Sequence, residues 1–485
     1  MDVIVAGAGP TGLMLAYELR LAGLDVLAVD RAEGRDTTES RAGGIHARTM
    51  EVLDQRGLLD DFLAQGRCLQ AGHFSGLRLD FSGFDTRYPF LLSLLQRRIE
   101  VLLERHVLEL GVPIRWSAEV TSVSQNESGV EVVAGGETIR AKYLVGCDGG
   151  RSVVRKQAGI GFTGTDPTMT SLLGDVELAE PPADLRFMTR SDHGDYSVIP
   201  FEPGWYRVMV GQYDRVLDRD EPVTLESLRA ALIKVAGTDF GMHSPRWLSK
   251  FNDSTRLAAN YRSGRVFLAG DAAHIHYPAG GQGLNMGVQD AVNLGWKLAA
   301  VIRGEAPESL LDTYQTERRP VAERVLENTR AQSALSQPTP QTQALRDILA
   351  SLIDLGPVND RLGYMITALD VRYPMTGEHP LVGRRVPDQG LKTADGEVRL
   401  FSLLHGGRPV LLSLGGQVGL PDGWADRVEV VEAQCTSDWT IPLIGAVPDV
   451  SAVLIRPDGY VAWVGSAGQE GLTNALSTWF GPARG

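Results

Sequence analysis

Gly7-Ala8-Gly9-Pro10-Thr11-Gly12 spells G-x-G-x-x-G directly after the apolar run Val3-Ile4-Val5-Ala6. Glycine at these three positions has a chemical use. Gly7 permits a tight turn, Gly9 lets a pyrophosphate approach the backbone, and Gly12 lets helix and strand pack closely. With Pro10 and Thr11 in the turn, a helix opening after Gly12 would aim free N–H groups and its positive dipole end at the anion. Asp30 follows 30 − 12 = 18 residues after Gly12, at the end of a second apolar run, with Arg31 beside it. A carboxylate there can accept hydrogen bonds from ribose hydroxyls and disfavours a 2′-phosphate. The full context predicts a dinucleotide site, with Asp30 and Arg31 on the ligand, rather than a plain structural turn.

Two later segments choose the dinucleotide. Residues 143–150 run from Tyr143-Leu144-Val145 into Asp148-Gly149-Gly150, and residues 265–271 run from Val266-Phe267-Leu268 into Gly270-Asp271. The second continues through Pro278, Gly280, Gly281, Gly283 and Leu284 to Asn285. A strand-end carboxylate can hold polyol hydroxyls, and glycines let backbone N–H groups face a flat ring. A helix N-terminus then stabilises negative charge on the reduced ring. Flavin needs both features and nicotinamide lacks the ribityl chain, so FAD is expected. Asp148 has a structural alternative, a turn acid. His46, His274 and His276 come without the carboxylate or cysteine spacing of a metal site. No G-x-S-x-G elbow marks a serine nucleophile.

These residues need strands and helices to hold them. Residues 2–6 and 25–30 read as strands around a helix from 13 to 22, a β-α-β opening. Helices are expected at about 47–56, 97–110 and 224–236, and over 283–335 with a break near Ala306-Pro307. Strands are expected at 170–177, 195–200, 205–213 and 265–269. The Pro- and Gln-rich piece 337–343 reads as a connector. After about Tyr373, further strands at 409–414, 427–432, 451–456 and 460–464 and a helix near 471–480 suggest another α/β unit. Val288, Val292, Leu294, Leu298 and Trp296 read as core.

The composition agrees with a multi-domain globular chain of 485 residues, 43% hydrophobic and 22% charged. Glycine is enriched, 55 of 485 or about 11% against an average near ~7%. A net charge of −13 argues against nucleic acid. Three scattered cysteines argue against a disulfide framework. Neither a membrane span nor a signal peptide is visible, so a cytoplasmic protein is expected.

The three segments Gly7–Gly12, Asp148-Gly149 and Gly270-Asp271 resemble the fingerprints of class A flavoprotein aromatic hydroxylases, the para-hydroxybenzoate hydroxylase fold. Ser40-Arg41-Ala42-Gly43-Gly44-Ile45-His46, Asp54-Gln55-Arg56-Gly57, Gly270 to Asn285 and Arg456-Pro457-Asp458-Gly459 are most similar to the aromatic polyketide hydroxylases of the anhydrotetracycline, angucycline and rifamycin types. The resemblance spans essentially the whole chain. It implies an α/β FAD-binding Rossmann-like domain over 1–161 and 256–372 and an inserted sheet-based substrate domain over 162–255. It also implies a thioredoxin-like C-terminal domain over 373–485, without C-x-x-C and hence not redox-active.

By the same resemblance Arg41 lies against the flavin and Gln96 meets the ribityl or pyrophosphate region, although Leu95 stands where members often have proline. Arg48 is expected as a phosphate or loop anchor. Gly281, Gly283, Leu284 and Asn285 offer backbone contacts to the ring's pyrimidine edge, with Pro278 beside the ring. The implied activity is hydroxylation of a polycyclic aromatic polyketide through a flavin hydroperoxide. NADPH is the reductant, NADH the alternative, and O₂ the co-substrate. Phe187, Tyr196, Trp205 and Tyr213 are the candidates for the substrate cavity, and a monomer or homodimer is expected. No obligatory side-chain acid or base is assigned. The rivals are a drug-inactivating monooxygenase of a rifamycin-like naphthoquinone or tetracycline and a non-catalytic flavin-binding protein. A flavin-dependent halogenase is disfavoured, because W-x-W-x-I-P is absent.

Overall fold

A computed structural model of the protein describes residues 1–35, 40–184, 187–213, 215–218, 220–415, 418–448, 450–465 and 470–484. Three large sheets carry the mixed α/β architecture. In the first, Val3–Ala6 runs parallel between Tyr143–Gly146 and Val26–Val29. Val266–Leu268 and Ile114–Arg115 flank these, and Arg262–Ser263 closes one edge antiparallel. Every residue of the three central strands is buried. Parallel strands covered on both faces need continuous apolar runs, which is why they read so plainly in the sequence. The helices Pro10–Leu21 and Gln282–Ile302 pack together. Gly295 allows this, since a Cβ there would lie 2.7 Å from Glu18 Cβ.

The second sheet is antiparallel, in the order Thr189–Ser191, Gly194–Glu202, Trp205–Gln212, Thr170–Leu178, Met242–Asn252. The helix Leu225–Ala236 covers one face, packing on Leu172, Val176, Val198, Val208 and Val210. Thr224 starts that helix in a capping box with Ser227, and Gly237, at φ 77°, ends it. The register sets Ser171, Gly211 and Asp195 on the opposite face, with Asp175 and Arg207 along it. The strand Met242–Asn252 was not expected, because Pro245 interrupts its pattern. It is an edge strand, where proline removes no ladder bond.

The third sheet orders Gly396–Arg399, Gly390–Thr393, Glu429–Cys435, Val410–Leu414, Ala452–Ile455 and Val461–Gly465. The helix Leu472–Phe480 packs beside it. The expected connector 337–343 shrinks to 337–339. Pro340 heads the helix Pro340–Ile353, and Thr339 Oγ1 caps it by accepting the Thr342 N–H at 3.1 Å.

This third unit docks on the helix Asp312–Ser336 through buried charge. Arg456 is fully buried and donates to both oxygens of Glu317, at 2.6 and 2.9 Å. Its guanidinium lies 4.4 Å from the Trp479 ring centre. Lys297 Nζ reaches Glu317 at 2.8 Å. Burial pushes the Lys297 ammonium down to about 8. Burial alone would raise Glu317, but Arg456 and Lys297 outweigh it and hold the carboxyl down at about 2. Arg48 is likewise buried, 5.0 Å from the Tyr460 ring centre and bonded to Glu51 and the Asp458 carbonyl. It ties the helix Ala47–Asp54 to the turn at Asp458, which agrees with the loop-anchor half of the expectation.

Candidate functional site

The Gly7–Gly12 turn leaves the central strand with Gly7 at φ 109°, where a Cβ would meet the Cys147 carbonyl oxygen at 2.3 Å. A Cβ on Gly12 would sit 1.9 Å from the Gly7 carbonyl oxygen. A Cβ on Gly9 meets no protein atom within 4 Å. Two glycines therefore make the turn, and the third keeps one side of it open. Pro10 begins the helix and no side chain caps it, so its first N–H groups point at that open side. Thr11 wedges against the second half of the site, 2.6 Å from the place a Gly270 Cβ would take. The Asp30 carboxylate accepts the Ala8 N–H at 2.7 Å and the Ala32 N–H at 2.9 Å. It fixes the turn first, and each oxygen keeps a lone pair for a ribose. Arg31 is exposed. Arg35, which the motif did not flag, donates to the Ala8 carbonyl at 2.8 Å and is held by Glu100 and Glu104.

Arg41 is exposed on a loop whose backbone is tied down. Gln96 Oε1 accepts the Ala42 N–H at 3.0 Å, and Arg207 donates to the Ser40 and Arg41 carbonyls from the second sheet. Gln96 thus clamps the loop that carries Arg41. Asp148 Oδ2 accepts the N–H groups of Val153 and Val154, at 2.7 and 3.1 Å, and starts the short helix Val153–Gln157. Its Oδ1 is buried without a hydrogen-bond partner among the described residues.

At Gly270 the chain turns with φ 62°, and its N–H donates to Asp290 Oδ2. Asp290 also takes His274 Nε2 at 2.7 Å and Arg318 Nε at 2.7 Å. Burial alone would raise this carboxyl, but Arg318 and His274 outweigh it and hold it low. Asp271 itself is exposed and makes no hydrogen bond among the described residues. Its carboxylate stands ready for a polyol. Pro278 is exposed, and Gly280 and Gly281 turn with φ 70° and 67° into the helix Gln282–Ile302, which no side chain caps. Gly283 and half-buried Leu284 lie in its first turn. Asn285 Nδ2 donates to the Gly281 carbonyl at 2.9 Å. His276 Nε2, buried and without a hydrogen-bond partner among the described residues, lies 3.7 Å from where a Gly283 Cβ would stand.

These features fit FAD. One open glycine beside an uncapped helix end suits a pyrophosphate, an exposed strand-end acid suits the ribityl chain, and a second uncapped helix behind left-handed glycines suits the ring.

Facing the loop 277–283 is the polar face of the five-stranded sheet. Tyr213 lies there, with Met169, Tyr277, Ala279 and Phe251. Phe187 packs against His73 with ring centres 5.2 Å apart. Trp205 sits under the Arg246 guanidinium, 3.7 Å from it, in a cluster centred on Glu202. Tyr196 is a correction. Its register partner is Val210, so it belongs to the opposite face, where it packs with Phe240 beneath the helix Leu225–Ala236. Strand alternation separates it from Asp195 and Ser197 on the inner face.

A family described as an FAD binding domain matches residues 1–329, and one described as aromatic-ring hydroxylase, C-terminal, matches 379–483. An anhydrotetracycline monooxygenase from Streptomyces rimosus is 50% identical over 502 residues, covering 99% of each chain. A rifampicin monooxygenase from Streptomyces venezuelae is 46% identical over 489 residues, again covering 99% of each. The solved structure of an anhydrotetracycline hydroxylase from Streptomyces rimosus superposes with a TM-score of 0.93 at 48% identity, covering 100% of this chain and 99% of that one. No described helix is long and apolar enough to cross a membrane.

Proposed function

The chain belongs to the FAD-binding aromatic-ring hydroxylases, which makes it a flavin-dependent monooxygenase, and from that premise we propose that it hydroxylates a polycyclic aromatic polyketide. The observation that carries this reading is the facing of two surfaces. One is the FAD frame of Gly9, Asp271 and the uncapped helix Gln282–Ile302. The other is the inner face of the five-stranded sheet, with Tyr213, Phe251 and Tyr277 between them. When bound, FAD reduced by NADPH supplies the activation of O₂. The protein's own residues do the rest. Asp30, Arg35 and Gln96 hold the loops, Asn285 and Asp290 hold the ring-side turn, and the sheet excludes water over the substrate.

Relatives named for anhydrotetracycline support a biosynthetic tailoring reaction. The similarity to a rifampicin monooxygenase supports a second reading, inactivation of an ansamycin-like drug by the same chemistry. NADPH oxidation by the FAD-loaded protein, followed with each of a tetracyclic, an angucyclic and an ansamycin phenol, separates them. The true substrate class accelerates oxidation and gains one oxygen. A chain that oxidises NADPH no faster with any of the three overturns the proposal.

A further inference from the structure

Behind the loop that carries Arg41, three guanidiniums converge on one carboxylate. Glu202 ends the strand Gly194–Glu202, and Trp205 pairs with it across the hairpin turn. Its oxygens take Arg97 at 2.8 Å, Arg98 at 3.0 Å and Arg246 at 2.6 Å. Burial alone would raise the Glu202 carboxyl, but the three arginines outweigh it and hold it down at about 2, so it stays ionised as their anchor. A carboxylate offers about four acceptor positions, whereas each guanidinium brings about five N–H donors. Among the described residues, neither Arg98 nor Arg246 has a hydrogen bond to any acceptor but Glu202. Their side chains are 50% and 28% exposed. The cluster is therefore a net cation short of acceptors, in a chain of net charge −13. Arg97 and Arg98 also lie in the first turn of the helix Gln96–Glu109, where the helix dipole disfavours cations. An anion from outside answers both shortfalls.

The cluster shares a loop with the flavin frame. Gln96 N–H donates to the Ala42 carbonyl at 2.9 Å, and a Cβ on Gly43 would lie 2.4 Å from the ring of Phe201, the neighbour of Glu202. In the reading above FAD takes the Gly7–Gly12 cradle, so the reductant needs an anion grip of its own. We propose that Arg98 and Arg246, braced by Glu202 and Trp205, bind the 2′-phosphate of NADPH and set its preference over NADH. This deepens the hydroxylase reading and rests on it. A phosphate monoester carries about two negative charges and presents its oxygens to the guanidinium fork. Trp205 holds the Arg246 guanidinium 3.7 Å above its ring. Arg97 is buried and positions Glu202 without touching the ligand. One other phosphate source exists on the same molecule, the dinucleotide's diphosphate, and NADH carries that group alone.

The test is a calorimetric titration of the FAD-loaded protein with NADPH, NADH and 2′,5′-ADP, run without oxygen or phenol so that binding is read apart from turnover. NADPH is expected to bind at least about tenfold more tightly than NADH, the size of one charge-assisted hydrogen bond. Arg98→Gln and Arg246→Gln should each erase most of that preference and weaken 2′,5′-ADP by the same factor. Arg98→Gln alters a half-exposed side chain and decides the matter where Arg246→Gln loses folded protein. A wild type without the preference, or variants that keep it, overturns the proposal. Equal weakening of NADPH and NADH overturns it too, since the cluster then grips the diphosphate. Hydroxylation by the wild type, read by mass, distinguishes the levels. A hydroxylating wild type with an unmoved preference in the variants overturns the 2′-phosphate site alone, whereas a wild type inert towards every phenol overturns the hydroxylase reading.

Discussion

Asn285 Oδ1 accepts the backbone N–H of His46 at 2.8 Å, joining positions 239 residues apart. The same amide reaches the Gly44 and Gly281 carbonyls through Nδ2. One side chain thus binds the loop that follows Arg41 to the first turn of the helix Gln282–Ile302, and only its backbone remains for a ring. Asn285→Leu keeps the volume and strands a buried donor and acceptors. It should cost about 2 kcal/mol of stability and weaken FAD at least about tenfold. Urea unfolding and FAD titration check both, and an unchanged midpoint contradicts the clamp.

The glycines of the first turn should behave differently from one another. Gly12→Ala places a methyl 1.9 Å from the Gly7 carbonyl oxygen, so the strand–helix contact must open and folded yield should collapse. Gly9→Ala meets no protein atom within 4 Å and should leave the apoprotein stable while lowering FAD affinity. Thermal melts of the two apoproteins beside their FAD dissociation constants give the comparison. Equal losses of stability would contradict it.

Arg456 ties the third sheet to the FAD domain through Glu317, with Lys297 sharing the same carboxylate. Arg456→Met leaves Glu317 short of its bidentate partner inside the protein, a change of roughly 3–5 kcal/mol. Adding Glu317→Gln should recover part of the loss. A single variant as stable as wild type in urea would show that the docking does not depend on this pair.

His46 is 4% exposed, and burial pushes its imidazole from 6.5 down to about 4. The unfolded chain therefore takes up this proton first. Stability present above pH 6.5 is lost as pH falls towards 4, by about 1.4 kcal/mol per unit and roughly 3 kcal/mol in all. His73, pushed down to about 4 by the same cause, adds to the slope. His46→Gln should flatten the pH dependence of the urea midpoint over that window, and a superimposable curve would contradict the assignment.

What was legible in the sequence was what steric need writes locally. Gly7 and Gly12 read correctly because backbone contact forbids a side chain there. The central strands read correctly because burial on both faces leaves only apolar residues. Trp296 read as packing and is buried against Phe480. The rest depends on partners far along the chain. Arg456 and Glu317 are 139 residues apart, and nothing near either announces the other. Tyr196 needed register, since a one-residue slip turns it from the substrate face to the helix face. Pro245 hid an eleven-residue strand because proline is tolerated only at an edge, and edges are a property of the assembled sheet.

Oxygen transfer from reduced flavin to a polycyclic phenol is the step the proposed function requires. The direct measurement is mass spectrometry of products formed by the FAD-loaded protein with NADPH and heavy-isotope dioxygen, over a panel of tetracyclic, angucyclic and ansamycin phenols. The expected product carries one heavy oxygen atom and forms with matched NADPH consumption. NADPH consumed with every phenol recovered unlabelled and unchanged would contradict it.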